Sequence, residues 1–345
     1  MATPGFARRI VAWQRVHGRH DLPWQRTRDP YRIWVSEIML QQTQVATVLA
    51  YFERFVTAFP DVRALAQASE DAVLGHWSGL GYYRRARHLH AAARAVVERF
   101  GGRVPGDAVS LESLPGIGRS TAAAIAAFAS GERGAILDGN VKRVLARHRG
   151  IAGDPTTPAV ESALWSAATR LLPRDAIEAY TQGMMDVGAT LCTRTRPRCE
   201  ACPVAGDCVA RLDDRIAELP GKRARRALPH RDVQVVLCER AGEVLLERRP
   251  STGVWGRLWS LPEIGVGDDP VASLRERYGI GARLVATLAP IEHAFTHYAL
   301  TMHPSRLSAR ASRDVAPVEC IWLARSDLAG AALPAPIRRL LESDA

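Results

Sequence analysis

The chain has 345 residues, enough for two domains, and at 47% hydrophobic it is excluded from the intrinsically disordered class. It contains no apolar run of about 18 residues or more, which excludes a membrane-spanning helix. The formal net charge of +10 suits a polyanionic partner such as nucleic acid.

The first twenty residues have neither an apolar core nor a small-residue cleavage motif, so no secretory signal is expected. Instead Phe6, Ile10, Trp13 and Val16 read as one face of a first helix. Ile38, Val45, Leu49, Phe52 and Val56 then recur at helix spacing. Alanine-rich amphipathic runs follow at 84–100, 119–130, 141–149 and 159–172, punctuated by Pro60, Gly79, Gly81, Pro105, Pro115, Gly116 and Gly118. The composition changes near 212, and the stretch LPGKRARRALPH (219–230) reads as a basic linker. Beyond it, DVQVVLCER and EVLLERR read as two strands joined at Ala241-Gly242, with shorter strands at 284–288, 298–303 and 319–323 and a last helix near 335–342. The expected organisation is a helical domain over 1–212, a linker over 213–230 and a small α+β domain over 231–345.

Two local patterns carry chemistry. Cys192, Cys199, Cys202 and Cys208 crowd into one short stretch, while Cys238 and Cys320 stand apart. Four soft thiolates this close can surround one metal centre. Zinc, an iron–sulfur cluster and unligated thiols are all open, and outer gaps of six and five residues depart from the paired spacing usual for zinc. Arg194, Arg196 and Arg198 between the first two cysteines suit phosphate. The second pattern is Leu114-Pro115-Gly116-Ile117-Gly118-Arg119-Ser120, set between two helical runs. Its glycines permit a sharp turn and close approach of a ligand, and the helix that follows points free N–H groups outward.

Hairpin, cysteine cluster and a downstream aspartate together resemble the helix–hairpin–helix DNA glycosylase superfamily. Within it the match is to the adenine DNA glycosylases. The matching segments are WVSEIMLQQTQVATV (34–48), GLGYYRRARHLH (79–90), LPGIGRSTAAAI (114–125), ILDGNVKRVLAR (136–147) and QGMMDVGATLCTRTRPRCEACPV (182–204). GVWGRLWSLP (253–262) and AFTH (294–297) are similar to that family's C-terminal Nudix-like domain. The resemblance implies an all-α glycosylase domain with an iron–sulfur loop, followed by an α+β Nudix-like domain. It implies a [4Fe–4S] cluster on Cys192, Cys199, Cys202 and Cys208. It also implies a monomeric, cytoplasmic, nucleoid-associated bacterial enzyme acting on double-stranded DNA with adenine opposite 8-oxoguanine or guanine.

The chemistry asks for two carboxyl groups. Adenine leaves readily only when protonated, and positive charge develops on the sugar as the bond breaks. One acid must therefore stay protonated near the base, and one carboxylate must stay ionised near the sugar. Glu37, flanked by Trp34, Val35, Ile38, Met39 and Leu40, is the candidate acid, since apolar burial raises a carboxyl pKa. The ordinary reading of such a glutamate is a solvent-facing residue on an amphipathic helix. Asp138 is the candidate carboxylate, with Asn140 in support; its ordinary reading is a helix N-cap. Strand-cutting relatives carry a lysine two residues after the Gly-x-Gly, where this chain has Ser120, and its lysines are Lys142 and Lys222. The expectation is a monofunctional glycosylase that leaves an abasic site.

The resemblance further assigns DNA or base contacts to Leu40, Gln42 and Tyr82 beside the extruded base, to Gly116, Gly118 and Ser120 on the phosphate backbone, and to Phe295, Thr296 and His297 on the lesion. A Nudix metal box aligned to end at Gly279-Ile280 puts Ala272, Ser273, Glu276 and Arg277 where an arginine and three glutamates belong, so a recognition module without a divalent metal is expected.

Overall fold

The structure, a computed structural model, describes residues 5–222, 228–295, 297–310 and 319–343. By proximity of its backbone the chain divides into two compact units: Met1–Gln67 with His88–Arg225, and Ala68–Arg87 with Arg226–Ala345. The excursion of Ala68–Arg87 into the second unit has no counterpart in the contiguous division expected from sequence. Among the described residues no helix is long and apolar enough to cross a membrane.

The helices in chain order are α1 (Phe6–His17), α2 (Pro30–Leu40), α3 (Val45–Ala58), α4 (Val62–Gln67), α5 (Glu70–Trp77), α6 (Arg84–Phe100), α7 (Ala108–Glu112), α8 (Arg119–Ser130), α9 (Gly139–Arg149), α10 (Pro158–Leu171), α11 (Ile177–Asp186) and α12 (Val209–Leu212). Their ends follow local chemistry. Asp29 caps α2 by accepting from the Tyr31 amide at 3.0 Å, and Pro30 opens the helix. Gly131 and Gly150 close α8 and α9 in the left-handed region. Ile10, Ala127, Val141, Leu145, Leu164, Tyr180, Met184 and Val187 meet in one buried cluster in this unit.

Three sequence expectations shift here. On α1 the buried face is Phe6, Ile10 and Gln14, while Val16 is 73% exposed; ten residues from Phe6 puts Val16 well off that face. The apolar series from Ile38 to Val56 is two helices, because α2 stops at Leu40 and α3 begins at Val45; Leu49 faces outward. The segment expected to be all linker is anchored at its start: Leu219 is buried and its carbonyl accepts from Arg147 at 2.8 Å.

The second unit is built on a mixed sheet of β1 (His230–Arg240), β2 (Glu243–Arg248), β3 (Trp259–Ser260), β4 (Glu263–Ile264), β5 (Ala282–Thr287), β6 (Ile291–Ala294), β7 (Ala299–Ala309) and β8 (Cys320–Ala324), with α13 (Pro270–Tyr278) and α14 (Ala335–Ser343). The path runs β3-β2-β1-β7-β5, with β1 and β7 parallel. Ala241 and Gly242, both at positive φ, make the tight β1–β2 turn. Alternation along β1 sends Val233, Val235 and Leu237 to one core with Ile337 and Leu340 of α14, and Val236 and Cys238 to the other with Leu274 of α13. Sequence patterning missed β3, β4 and β6, which are too short for a period, and α13.

Candidate active site

Helix α2 holds Glu37 against a dry background: Trp34, Val35, Ile38 and Met39 are at most 2% exposed. Glu37 itself is half-buried and lines two clefts. One, of about 580 Å³, also takes in Leu40, Gln41, Ser120, Asp138 and Asn140. The other, of about 350 Å³, takes in Arg19, Trp24 and Gln182. Burial first, and then the negative charge on Asp138, push the Glu37 pKa up to about 8. The carboxyl is thus largely protonated at neutral pH, unlike a surface glutamate.

Asp138 is the N-cap of α9: its Oδ1 accepts from the amides of Asn140 at 2.6 Å and Val141 at 2.9 Å. Capping and a place in the cavity are not alternatives here, since the same carboxylate does both. Burial raises its pKa, and the two amides and the Arg143 charge oppose that rise. The opposition acts on Asp138 alone, so the two carboxyls sit in different environments. Ser120 Oγ accepts from the Leu137 amide at 2.8 Å and so fixes the residue before Asp138.

Sequence reasoning missed the arginines that frame this site. Arg143 donates to Asn140 Oδ1 at 2.8 Å, to the Gly188 carbonyl at 2.7 Å and to the Cys192 carbonyl at 2.6 Å. One turn on, Arg147 donates to the carbonyls of Thr193 and Arg194 and lies 3.4 Å from Cys192 Sγ. The fully buried Asp186 accepts from Arg19 Nε at 2.6 Å and Gln182 Nε2 at 2.9 Å, locking two walls of the smaller cavity. The four-residue spacing of Arg143 and Arg147 was visible in VKRVLAR, but their targets lie some 45 residues away.

The four clustered cysteines follow a π-helical turn at Val187–Leu191 and are all partly exposed. Burial pushes the Cys202 thiol up to about 11, helped by the charges of Cys192, Cys208 and Cys199. In number and softness the four thiols suit one metal centre. Among the described residues no three His, Cys, Asp or Glu side chains are already drawn together as a ligand set. Lys142 is held by Glu161 at 2.6 Å.

The model for HhH-GPD superfamily base excision DNA repair proteins matches residues 35–170, and the NUDIX domain model matches 233–343. The adenine DNA glycosylase of Buchnera aphidicola subsp. Acyrthosiphon pisum is 32% identical over 340 residues, covering 98% of this chain and 97% of its own. The chain belongs to the adenine DNA glycosylase family.

Adenine DNA glycosylases are base-excision-repair enzymes, glycosidases of N-glycosyl bonds. The Homo sapiens adenine DNA glycosylase is 32% identical, covering 97% of this chain and 73% of its own. A solved structure of a thermostable thymine-DNA glycosylase matches with a TM-score of 0.55 and 30% identity, covering 60% of this chain and 95% of that one. The adenine glycosylase of Buchnera aphidicola subsp. Acyrthosiphon pisum thus matches over nearly the whole chain, and the thymine enzyme over 60% of it.

The remaining predicted site residues scatter. Gln42 is exposed, at φ 57°, between α2 and α3. Gly116, at φ 79°, leaves no room for a Cβ against His88, whereas Gly118 begins α8 with open space around it. Tyr82 lies in the second unit, 49% exposed and at φ 49°. With Phe295, His297, Trp255 and Arg84 it lines a cavity of about 430 Å³. The Phe295 ring packs 5.2 Å from Trp255, 4.5 Å from His293 and 4.7 Å from Tyr298. Thr296 lies outside the described residues. The aligned Nudix box overlaps α13, where Arg277, at a position that a working box gives to a glutamate, pairs with Glu247 at 3.2 Å.

Proposed function

We propose that this adenine DNA glycosylase removes adenine opposite 8-oxoguanine or guanine by hydrolysis and leaves an abasic site. The observation that carries the reading is one cavity holding Glu37, with a pKa near 8, and Asp138, capped by amides. Glu37 gives its proton to the extruded adenine. The C1′–N9 bond breaks with its electron pair leaving on the base, and Asp138 faces the oxocarbenium ion that remains. Water adds to C1′, and the proton it releases restores the acid on Glu37. Asn140, held by Arg143, supports Asp138. Ser120 stands where a lyase would carry its amine, and Lys142 is tied to Glu161, so no Schiff base forms.

Base extrusion leaves a gap in the stack, which Leu40, Gln42 and Tyr82 fill or probe, and Gly116, Gly118 and Ser120 meet the phosphate backbone. The left-handed backbone of Gln42 and Tyr82 supports that reading, because strain of this kind is kept where function needs it. Phe295, Thr296 and His297 form the loop assigned to the lesion. Residues 1–212 carry catalysis, and 231–345 carry recognition.

Single-turnover assays on duplexes with adenine opposite 8-oxoguanine, guanine, cytosine or thymine test this. Alkali-labile product should form fastest opposite 8-oxoguanine, and the strand should stay intact without alkali. Strand cleavage at neutral pH, or preferential release of thymine from a thymine–guanine pair, overturns the reading.

Cys192, Cys199, Cys202 and Cys208 would hold a [4Fe–4S] cluster. Such a cluster would supply a redox-inert brace for the end of the helical domain. Protein purified without oxygen should be brown, with iron and acid-labile sulfide in equal amounts; stoichiometric zinc without iron would show a different centre.

A further inference from the structure

Segment Ala68–Arg87, which carries Tyr82, is tied to the C-terminal residues by three independent devices. Arg248 of β2 clasps Asp71 of α5 with both arms of its fork, Nη1 to Oδ1 at 2.7 Å and Nη2 to Oδ2 at 2.5 Å, while its guanidinium lies over Trp259 at 4.1 Å. The pair holds the Asp71 carboxyl below its ordinary range. Gly75 sits inside α5, where glycine is a poor helix former, yet a Cβ there would stand 2.7 Å from the Gly330 carbonyl oxygen. The close approach of the two backbones accounts for it.

The third device holds the loop itself. Ser78 Oγ and Tyr83 Oη, at its two ends, both donate to the carbonyl of Leu333, at 3.2 and 3.1 Å. Arg338 donates to Ser78 Oγ at 3.2 Å. Within the loop Trp77 Nε1 donates to the Gly81 carbonyl at 3.1 Å, and Arg85 lies over the rings of both Trp77 and Tyr82. Tyr82 therefore projects, half-exposed and at positive φ, from a loop pinned to one C-terminal carbonyl.

We propose that the C-terminal half positions Tyr82 against the base stack, with Arg248, Gly75 and the Leu333 carbonyl as positioning groups. The proposal rests on the reading of Tyr82 as a stack probe. It gives the second domain a part in lesion selectivity that does not pass through Phe295, Thr296 or His297.

The test uses the full chain with Asp71→Asn, which keeps the side-chain shape and weakens the clasp, and Gly75→Ala, which adds a better helix former and forces the backbones apart. Amide hydrogen exchange over residues 79–83 should quicken by about tenfold in each variant. The ratio of affinities for adenine–8-oxoguanine over adenine–guanine duplexes should fall several-fold, while adenine release from the adenine–guanine duplex continues. In a Tyr82→Ala background neither change should lower the ratio further. Unchanged exchange in both variants, or losses that add in full to that of Tyr82→Ala, would overturn the proposal. A Tyr82→Ala variant with an unaltered ratio removes Tyr82 as a probe and overturns it also. Failure of the unmodified chain to release adenine at all would instead sink the functional reading.

Discussion

Glu37→Gln should bind mispaired DNA and release adenine about 10²–10⁴-fold more slowly, the usual worth of a placed general acid. Glutamine keeps the shape of the side chain and has no acidic proton. In the unmodified enzyme single-turnover rates should fall as pH rises through about 8, where Glu37 loses its proton. They should also fall on the acid side as Asp138 becomes protonated. Stability carries the same signature. The Glu37 pKa is raised on folding, so the folded chain binds the extra proton, and stability present at low pH is lost as pH rises from the ordinary value of 4.5 towards about 8. The Gln variant does not titrate there, and its melting temperature should gain on that of the unmodified protein across this window. Near-normal turnover with a flat alkaline limb would place the acid elsewhere.

Asp138 should separate into two functions by substitution. Asp138→Asn retains an oxygen for the amides of Asn140 and Val141, so α9 keeps its cap. It removes the charge that faces the oxocarbenium ion, and adenine release should drop by about 10²–10³-fold, as when one aligned electrostatic group is lost. Because the Asp138 charge helps raise the Glu37 pKa, the alkaline limb in this variant should move to lower pH. Asp138→Ala should lose the rate and also about 0.5–2 kcal/mol of stability, since the cap goes too. Equal stability of the Asn and Ala variants would mean that the cap contributes nothing, and an unchanged rate in both would remove Asp138 from the chemistry.

Glu37 and Asp138 came forward as candidates because the resemblance selected them, and the signals around them are local. Glu37 sits in an apolar stretch interrupted only by Ser36, and Asp138 precedes a helical pattern after Ile136-Leu137. The helix runs, the β1–β2 turn and the last helix came from periodicity and from Ala241-Gly242 for the same reason. What failed to show depends on distant partners. Arg143 becomes part of the site only when Gly188 and Cys192 arrive beside it, and Asp186 matters only because α1 and the turn after it bring Arg19 within reach. The stop of α2 at Leu40 has no glycine or proline to announce it. The motif around Phe295 says nothing of Trp255 and Tyr298, which pack against its ring. The gathering of Ala68–Arg87 with the C-terminal strands was invisible for the same cause.

That gathering also sets an order in time. Leu333, which receives both ends of the Tyr82 loop, follows Ser78 by 255 residues. At roughly 5–20 residues per second, on the order of 10–50 s of synthesis separate the loop from its anchor. Helix α5 has 8 residues, too few to hold a helix unaided in water, and its partners in the C-terminal strands and loops are made long after it. Glu37, Asp138 and the helices that bury them are all made before that moment. A nascent chain thus completes Glu37, Asp138 and the helices around them first, and the anchor of the Tyr82 loop last.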